Sequence, residues 1–246
     1  MSLSETPVDS LALAIANSGF WERMAYFLPF IRLLAGGAPV SREQLAAGLG
    51  RPSEEVTEAL RQFEDIIYDE QGRVVSAGLS LLPTSHRFEV NGHVLFTWCA
   101  LDTLIFPVWT QHSAQISSPC PVTGQLIHLT VTPERLEHLD PPSGVLSLLI
   151  QDGLATCCNI REAFCSFSHF FAKRQAASNW LSEYLDAHLL SIEEAFILGQ
   201  KLARLTMQRF RGGKVSVCTR QCSHDREAPP GTWRDATLGN KQEERL

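Results

Sequence analysis

The chain has 246 residues, of which 44% are hydrophobic and 20% charged, enough for one substantial core or for a small domain joined to a larger one. A formal net charge of -6 and a pI near 5.8 exclude the cationic footprint that nucleic acid or an anionic membrane requires, leaving small molecules or proteins as partners. Seven cysteines, an odd number spread over a medium-sized chain, fit reduced thiols with chemical or packing roles better than a disulfide scaffold.

Met1 to Ser10 lacks a basic region followed by an apolar core and a small-residue cleavage site, so it does not read as a secretory signal. The apolar stretch Phe27 to Ala35 is interrupted by Pro29 and Arg32 and is too short to span a bilayer. The expectation is a cytoplasmic protein. Apolar residues from Trp21 to Leu34 recur at helical spacing and stop at Gly36-Gly37, where glycine accepts the left-handed conformation past a helix end. Ser41 with Gln44 is a capping-box signal for a short helix to about Leu49, and Pro52-Ser53 starts a second, expected to run to about Ile67. After the turn Asp69 to Gly72, Arg73-Val74-Val75 and Gly78 to Leu82 read as two strands of a small wing. The unit is a winged helix-turn-helix by this pattern. Its second helix carries Glu54, Glu55, Glu58, Glu64 and Asp65 against Arg61, a surface that repels phosphates, so a lid or packing role is favoured over DNA reading.

From His86 the pattern alternates: His86, Phe88 and Val90 share a face, Asn91-Gly92 signals a hairpin, and His93 to Thr97 returns. Ala114 to Ser117, Gln125 to Val131 and Val145 to Ile150 are further strands, and Thr132-Pro133 marks a short helix start. Ile160 to Phe164 reads as a helical turn and the Phe-rich Cys165 to Ala172 as a partly buried strand. Ser178 is a candidate N-cap, and Ser191 with Glu194 completes a capping box for a closing helix to about Arg209. From Gly212 the chain is polar, a composition that cannot offset the entropy of ordering. The fold class expected is α+β, with three parts: N-terminal helices and a winged-helix-like domain at 1–82, a catalytic α+β domain at 83–210, and a mobile polar tail at 211–246.

The stretch Phe96-Thr97-Trp98-Cys99-Ala100-Leu101-Asp102 carries the candidate chemistry. If it opens a helix, Cys99 and Asp102 lie three apart on one face. Trp98, Leu101, Leu104, Ile105 and Phe106 surround them with apolar groups that favour a protonated carboxyl. Taken alone, a Cys and an Asp on one turn are more often a buried thiol and a helix-capping acid than a catalytic pair. However, Trp98-Cys99-Ala100-Leu101-Asp102-Thr103-Leu104-Ile105-Phe106-Pro107 resembles the signature of the organomercurial (alkylmercury) lyases. The resemblance continues through Ser117 to Gly124, Leu129 to Pro133, Phe164-Cys165 with His169-Phe170-Phe171, and Glu194 to Gln200. It covers roughly Val40 to Arg204.

This resemblance implies protonolytic cleavage of a carbon–mercury bond to hydrocarbon and Hg(II). It makes Cys99 and Cys165 the thiols that bind mercury and Asp102 the acid that assists thiol deprotonation and protonates the leaving carbon. Asp102 also faces the Hg(II) product. Thiolates suit this soft ion better than oxygen or nitrogen ligands. The resemblance further implies that Hg(II) leaves through small-molecule thiols or to mercuric reductase. No organic cofactor is expected, since no glycine-rich phosphate loop, Ser-centred elbow or zinc-protease helix occurs.

Five other cysteines have blander readings. Cys120, between Pro119 and Pro121, reads as packing. Cys157-Cys158 reads as packing or incidental before auxiliary mercury capture, and Ser166 stands where family members often carry a second adjacent cysteine. Cys218 and Cys222 with His224 give a weak zinc signal, because no second pair lies nearby. Incidental thiols are preferred to a relay passing Hg(II) onward. His86, His93, His112 and His169 receive no catalytic role. Two other functions compete, a non-catalytic thiol-based metal-binding protein and a metal-sensing winged-helix regulator.

Overall fold

The computed structural model describes residues 7–17, 20–61, 63–150 and 159–211. Cys157, Cys158, Cys218, Cys222, His224 and nearly all of the polar tail lie outside the described residues. The chain opens with four helices, α1 (Pro7–Asn17), α2 (Phe20–Leu34), α3 (Arg42–Leu49) and α4 (Ser53–Leu60). Strands β1 (Ile67–Tyr68), β2 (Val74–Ala77), β3 (Leu79–Ser80), β4 (His86–Val90) and β5 (His93–Thr97) follow. Then come α5 (Asp102–Thr110), β6 (Ala114–Pro119), β7 (Leu126–Val131), β8 (Leu136–Asp140) and β9 (Val145–Leu148). The last elements are α6 (Ile160–Ala163), β10 (Phe170–Phe171), α7 (Ser178–Glu183), β11 (His188–Ser191) and α8 (Ile192–Arg211). No helix among the described residues is long and apolar enough to cross a membrane.

Local chemistry explains the elements that matter to the site. Ser41 Oγ accepts the Gln44 N–H while the Gln44 side chain accepts the Ser41 N–H, the reciprocal box that starts α3. Asn91 and Gly92 take φ 53 and 74, the left-handed pair of a two-residue hairpin. The hairpin fixes the β4–β5 register at Val90↔His93 through His86↔Thr97. Ser191 and Glu194 exchange the same kind of bonds at the start of α8. That helix packs on α5, α1 and α2. Gly199 permits the approach to α5, since a Cβ there would lie 3.2 Å from the Leu104 backbone.

The eight-stranded sheet runs β1-β2-β3-β5-β4-β6-β7-β8, and β10-β9-β11 form a second sheet. The wing strands therefore extend the main sheet, because β3 pairs with β5 at Leu79↔Thr97 and Ser80↔Phe96. The ladder crosses the division expected after residue 82. Helical and wing residues share one apolar core with the rest of the molecule, including Phe27, Phe63, Trp98, Phe106 and Phe170.

Four local expectations are corrected. Helix α4 ends at Leu60 rather than near Ile67. Phe63 and Ile66 turn into the core, and Ile67 pairs with Ser76, so the β-branched and aromatic residues after α4 serve a sheet edge. Thr132-Pro133 starts no helix. Thr132 Oγ1 accepts the N–H groups of Glu134 and Arg135, and Thr132 N donates to Arg135 O, a tight turn into β8. The Cys165–Ala172 stretch contributes only Phe170–Phe171 as strand, because Cys165–Phe167 coils into a 3₁₀ turn. Finally, Ser178 does not cap α7 with its side chain; its hydroxyl donates back to Gln175 O at 2.9 Å.

Candidate active site

Strand β5 ends at Thr97, and the sheet anchors the next residue: Trp98 N donates to Gly78 O and Trp98 Nε1 to Ser76 Oγ. The chain then turns through Cys99, Ala100 and Leu101 before α5 begins at Asp102. Cys99 thus sits in the turn before the helix, not on its first turn as the spacing suggests. The Cys99 N–H donates to Asp102 Oδ2 at 3.2 Å. Asp102 in this way braces the turn that carries Cys99 with its own carboxylate.

The second thiol comes from a distant turn. Ser168 stitches the two together: its carbonyl accepts the Ala100 N–H at 3.2 Å, and its hydroxyl accepts the Leu101 N–H at 3.1 Å. Ser168 N in turn donates to Cys165 O. Cys165 Sγ lies 4.0 Å from Asp102 Oδ2. Among the described residues, Cys99, Asp102 and Cys165 form a cluster of metal-ligating side chains whose ligand atoms all lie within 4.8 Å of one another. These residues are 0%, 4% and 5% exposed, so their charged forms are disfavoured by desolvation.

Burial raises the Asp102 carboxyl to about 7, against opposing hydrogen bonds from the Cys99 side chain and backbone. Burial also lifts Cys99, with Asp102 adding repulsion and Cys165 opposing through a hydrogen bond. Cys165 is pushed well above its ordinary value by burial first and then by Cys99, Asp102 and Asp65. The resting site therefore holds two thiols beside a carboxyl that gains and loses its proton near neutrality. A small pocket with Phe27, Trp98, Ile160 and Phe164 as apolar walls opens onto Asp102 and Cys165. Its lining suits a hydrophobic organic group attached to a soft metal.

The remaining sequence candidates lie elsewhere. Cys120 is buried in the turn between β6 and β7. Burial raises its thiol, but hydrogen bonds from the Thr123 side chain and from the N–H groups of Ala172, Thr123 and Val122 outweigh it and leave the pKa lowered. Ser166 donates to Arg161 O at 3.1 Å. His86 is buried with Nδ1 2.9 Å from Ser118 Oγ, and burial, then His169, lower its pKa to about 3. His93 and His112 lie outside the cluster. Sequence reasoning missed Ser168 and Arg161. No periodicity marks either residue, since each acts through contacts more than sixty positions away in sequence.

Comparison with known proteins bears on residues 7–204. Residues 79–204 match the family model of alkylmercury lyase, and residues 7–78 match the helix-turn-helix domain of alkylmercury lyase. A Staphylococcus epidermidis protein named alkylmercury lyase is 44% identical over 176 residues, covering 72% of this chain and 80% of its own. A Bacillus cereus protein of the same name is 44% identical over 192 residues, 78% of this chain and 86% of its own. One from Pseudomonas putida is 40% identical over 182 residues, 74% and 84% respectively. A solved structure of the mercury-bound form of MerB2 aligns with a TM-score of 0.63 at 25% identity, covering 77% of this chain and 98% of that one.

Proposed function

The chain belongs to the alkylmercury lyase family, and from that premise we propose that Cys99, Cys165 and Asp102 carry its protonolytic cleavage of the carbon–mercury bond. The enzyme takes an organomercury substrate and yields a hydrocarbon and Hg(II). The observation that carries the site assignment is the buried cluster of two thiols and one carboxyl within 4.8 Å. A metal trap or a metal-sensing regulator would need the thiols but not a carboxyl tuned to about 7 beside them. The acidic α4, with Glu54, Glu55 and Glu58, further disfavours the regulator.

The proposed reaction balances its protons through the roles of these three groups. One thiol displaces the ligand X from R–Hg–X, and X leaves with that thiol's proton. The second thiol transfers its proton to the Asp102 carboxylate and attacks mercury as a thiolate. Two sulfurs on mercury raise the electron density at carbon, and Asp102 delivers its proton there as the Hg–C bond breaks. Hydrocarbon departs, leaving Hg(II) held by Cys99 and Cys165 with the Asp102 carboxylate beside it. Burial makes the proton transfers feasible near neutral pH, because a solvated carboxylate would have no proton to give.

Release of Hg(II) requires other thiols, for which we assign small-molecule thiols and mercuric reductase as the acceptors. The need for reduced thiols places the reaction in the cytoplasm. The division into a helical unit at 1–82, a catalytic unit at 83–210 and a polar tail at 211–246 completes this reading. It is tested by incubating the purified protein with methylmercury and excess thiol. Methane and Hg(II), the latter shared between the protein and the added thiol, are expected in equal amounts; mercury retained without methane would sink the lyase mechanism.

A further inference from the structure

A residue of the helical N-terminal unit bonds the segment that leads into the second thiol. Asp65, buried in the loop between α4 and β1, accepts the backbone N–H of Arg161 through Oδ2 at 2.9 Å. Arg161 is the second residue of α6, the single turn that leads through Phe164 into Cys165. Such an N–H has no acceptor within its own helix, so the carboxylate of Asp65 completes the helix start from a site ninety-six positions earlier in sequence. At the other end of the same residue, Ser166 Oγ donates to Arg161 O. The Arg161 guanidinium lies 5.8 Å from the centroid of the Trp98 ring, and Trp98 directly precedes Cys99. Burial lowers the Arg161 pKa, while the opposing pull of Cys165 and Asp65 marks both groups as its electrostatic neighbours.

We propose that Asp65 is a positioning residue for the reaction: through its bond to Arg161 N it fixes α6, and with it the sulfur of Cys165, within reach of Cys99 and Asp102. The inference rests on the reading of those three residues as the site. Cys165 lies in a 3₁₀ turn, where its position depends on the segments that flank it. Ser168 holds the turn from the far side through Ala100 and Leu101, and Asp65 holds it from the near side. The helical unit is then a working part of the catalytic site. It also contributes Phe27 to the pocket wall, and Phe63, two residues before Asp65, packs edge-on against Phe27 at 5.1 Å.

The test uses the full chain with Asp65→Ala, Asp65→Asn and, as a control, Cys165→Ser. Turnover of methylmercury gives kcat and KM, and dithiothreitol competition gives the rate at which Hg(II) is stripped from the protein. Loss of an orienting partner costs about ten- to a hundredfold in metal retention or activity, so Asp65→Ala should lose that factor in kcat and shed Hg(II) faster by a similar factor. Its KM should stay within about twofold, because the pocket wall is unchanged. Asp65→Asn keeps an oxygen that accepts the same N–H and should recover kcat to within about threefold. An effect on packing alone would not separate Ala from Asn in this way. If Asp65→Ala does not fold, Asp65→Ser, whose hydroxyl is too short to reach, replaces it under the same criteria. Parental kcat in the Ala or Ser variant, or an Asn variant as impaired as Ala, overturns the proposal. Turnover by Cys165→Ser would instead overturn the site reading beneath it, so the two failures are distinguishable.

Discussion

The hydroxyl of Ser168 accepts the N–H of Leu101 at 3.1 Å, and this bond ties the turn that carries Cys99 to the turn that carries Cys165. Ser168 and Leu101 are both buried. Replacing Ser168 by Ala removes the acceptor and strands a buried N–H, a loss of about 1–3 kcal/mol. The midpoint of denaturant unfolding should fall accordingly with an unchanged slope. The Ala100 N–H still reaches the Ser168 carbonyl, so the variant should fold and retain measurable turnover. An unaltered midpoint would show that another acceptor replaces the hydroxyl.

The pH dependence of stability should carry the imprint of Asp102. Its folded pKa of about 7 stands above the ordinary carboxyl value of 3.8, so the folded state binds more protons between those values and stability falls as pH rises through that window. The contribution is fully present below about pH 4 and lost above about 7. His86 acts in the opposite sense, because burial, then His169, lower its pKa from 6.5 to about 3. Its destabilising need to stay neutral fades as pH rises. Comparing parent with Asp102→Asn at each pH cancels His86. The variant should gain on the parent from pH 4 to pH 7, and parallel curves would refute the raised carboxyl.

Much of this was legible in the sequence where the determinants are local. The Ser41–Gln44 box, the Asn91-Gly92 hairpin and the Ser191–Glu194 box each rest on residues within three positions of one another, and each element forms where expected. The end of α4 was not legible, because Phe63 and Ile66 extend a helical pattern that core packing and the Ile67↔Ser76 pair override. Edge strand β8 has a weak apolar alternation, with His128↔Asp140 and Thr130↔His138 among its pairs, and gave no periodic signal. The residue types of the site pointed to mercury chemistry through the family resemblance alone. That Cys165 approaches Asp102 depends on Ser168 and Asp65, whose bonds span 67 and 96 positions.

The helix-turn-helix unit should show no specific affinity for duplex DNA at physiological salt. Glu54 and Glu55 occupy the first turn of α4, and Arg51 and Arg61 are ion-paired with Glu55 and Glu58. Neutralising phosphates would require breaking those pairs against uncompensated acidic neighbours. Fluorescence anisotropy with labelled promoter fragments is the direct check. A sequence-selective complex that weakens steeply with salt would restore the regulator.

The two thiols should be separately indispensable and differently expressed in the kinetics. Cys99→Ser and Cys165→Ser each leave one sulfur for mercury, so each should still capture methylmercury while turnover falls below detection. Both side chains are buried, and the substitution changes little in volume, so far-UV circular dichroism should match the parent. Near-native turnover in either variant would remove that cysteine from the mechanism.

The proton separates a lyase from a trap, and in the proposed mechanism Asp102 carries it. Asp102→Asn keeps the shape, and its side-chain oxygen can still accept the Cys99 N–H that the carboxylate holds at 3.2 Å. The turn before α5 should therefore survive, and with it the approach of Cys99 and Cys165. What disappears is a group able to take a proton from a thiol whose own pKa burial has raised and to return it to carbon. Loss of one positioned acid costs about a hundred- to ten-thousandfold in rate. Single-turnover methane release should fall by that factor, while mercury retained after gel filtration stays near the parental amount. Cleavage by Asp102→Asn at the parental rate would move the proton to a thiol or to water. In that case burial of the Asp102 carboxyl would be a feature of the turn's architecture rather than of the chemistry.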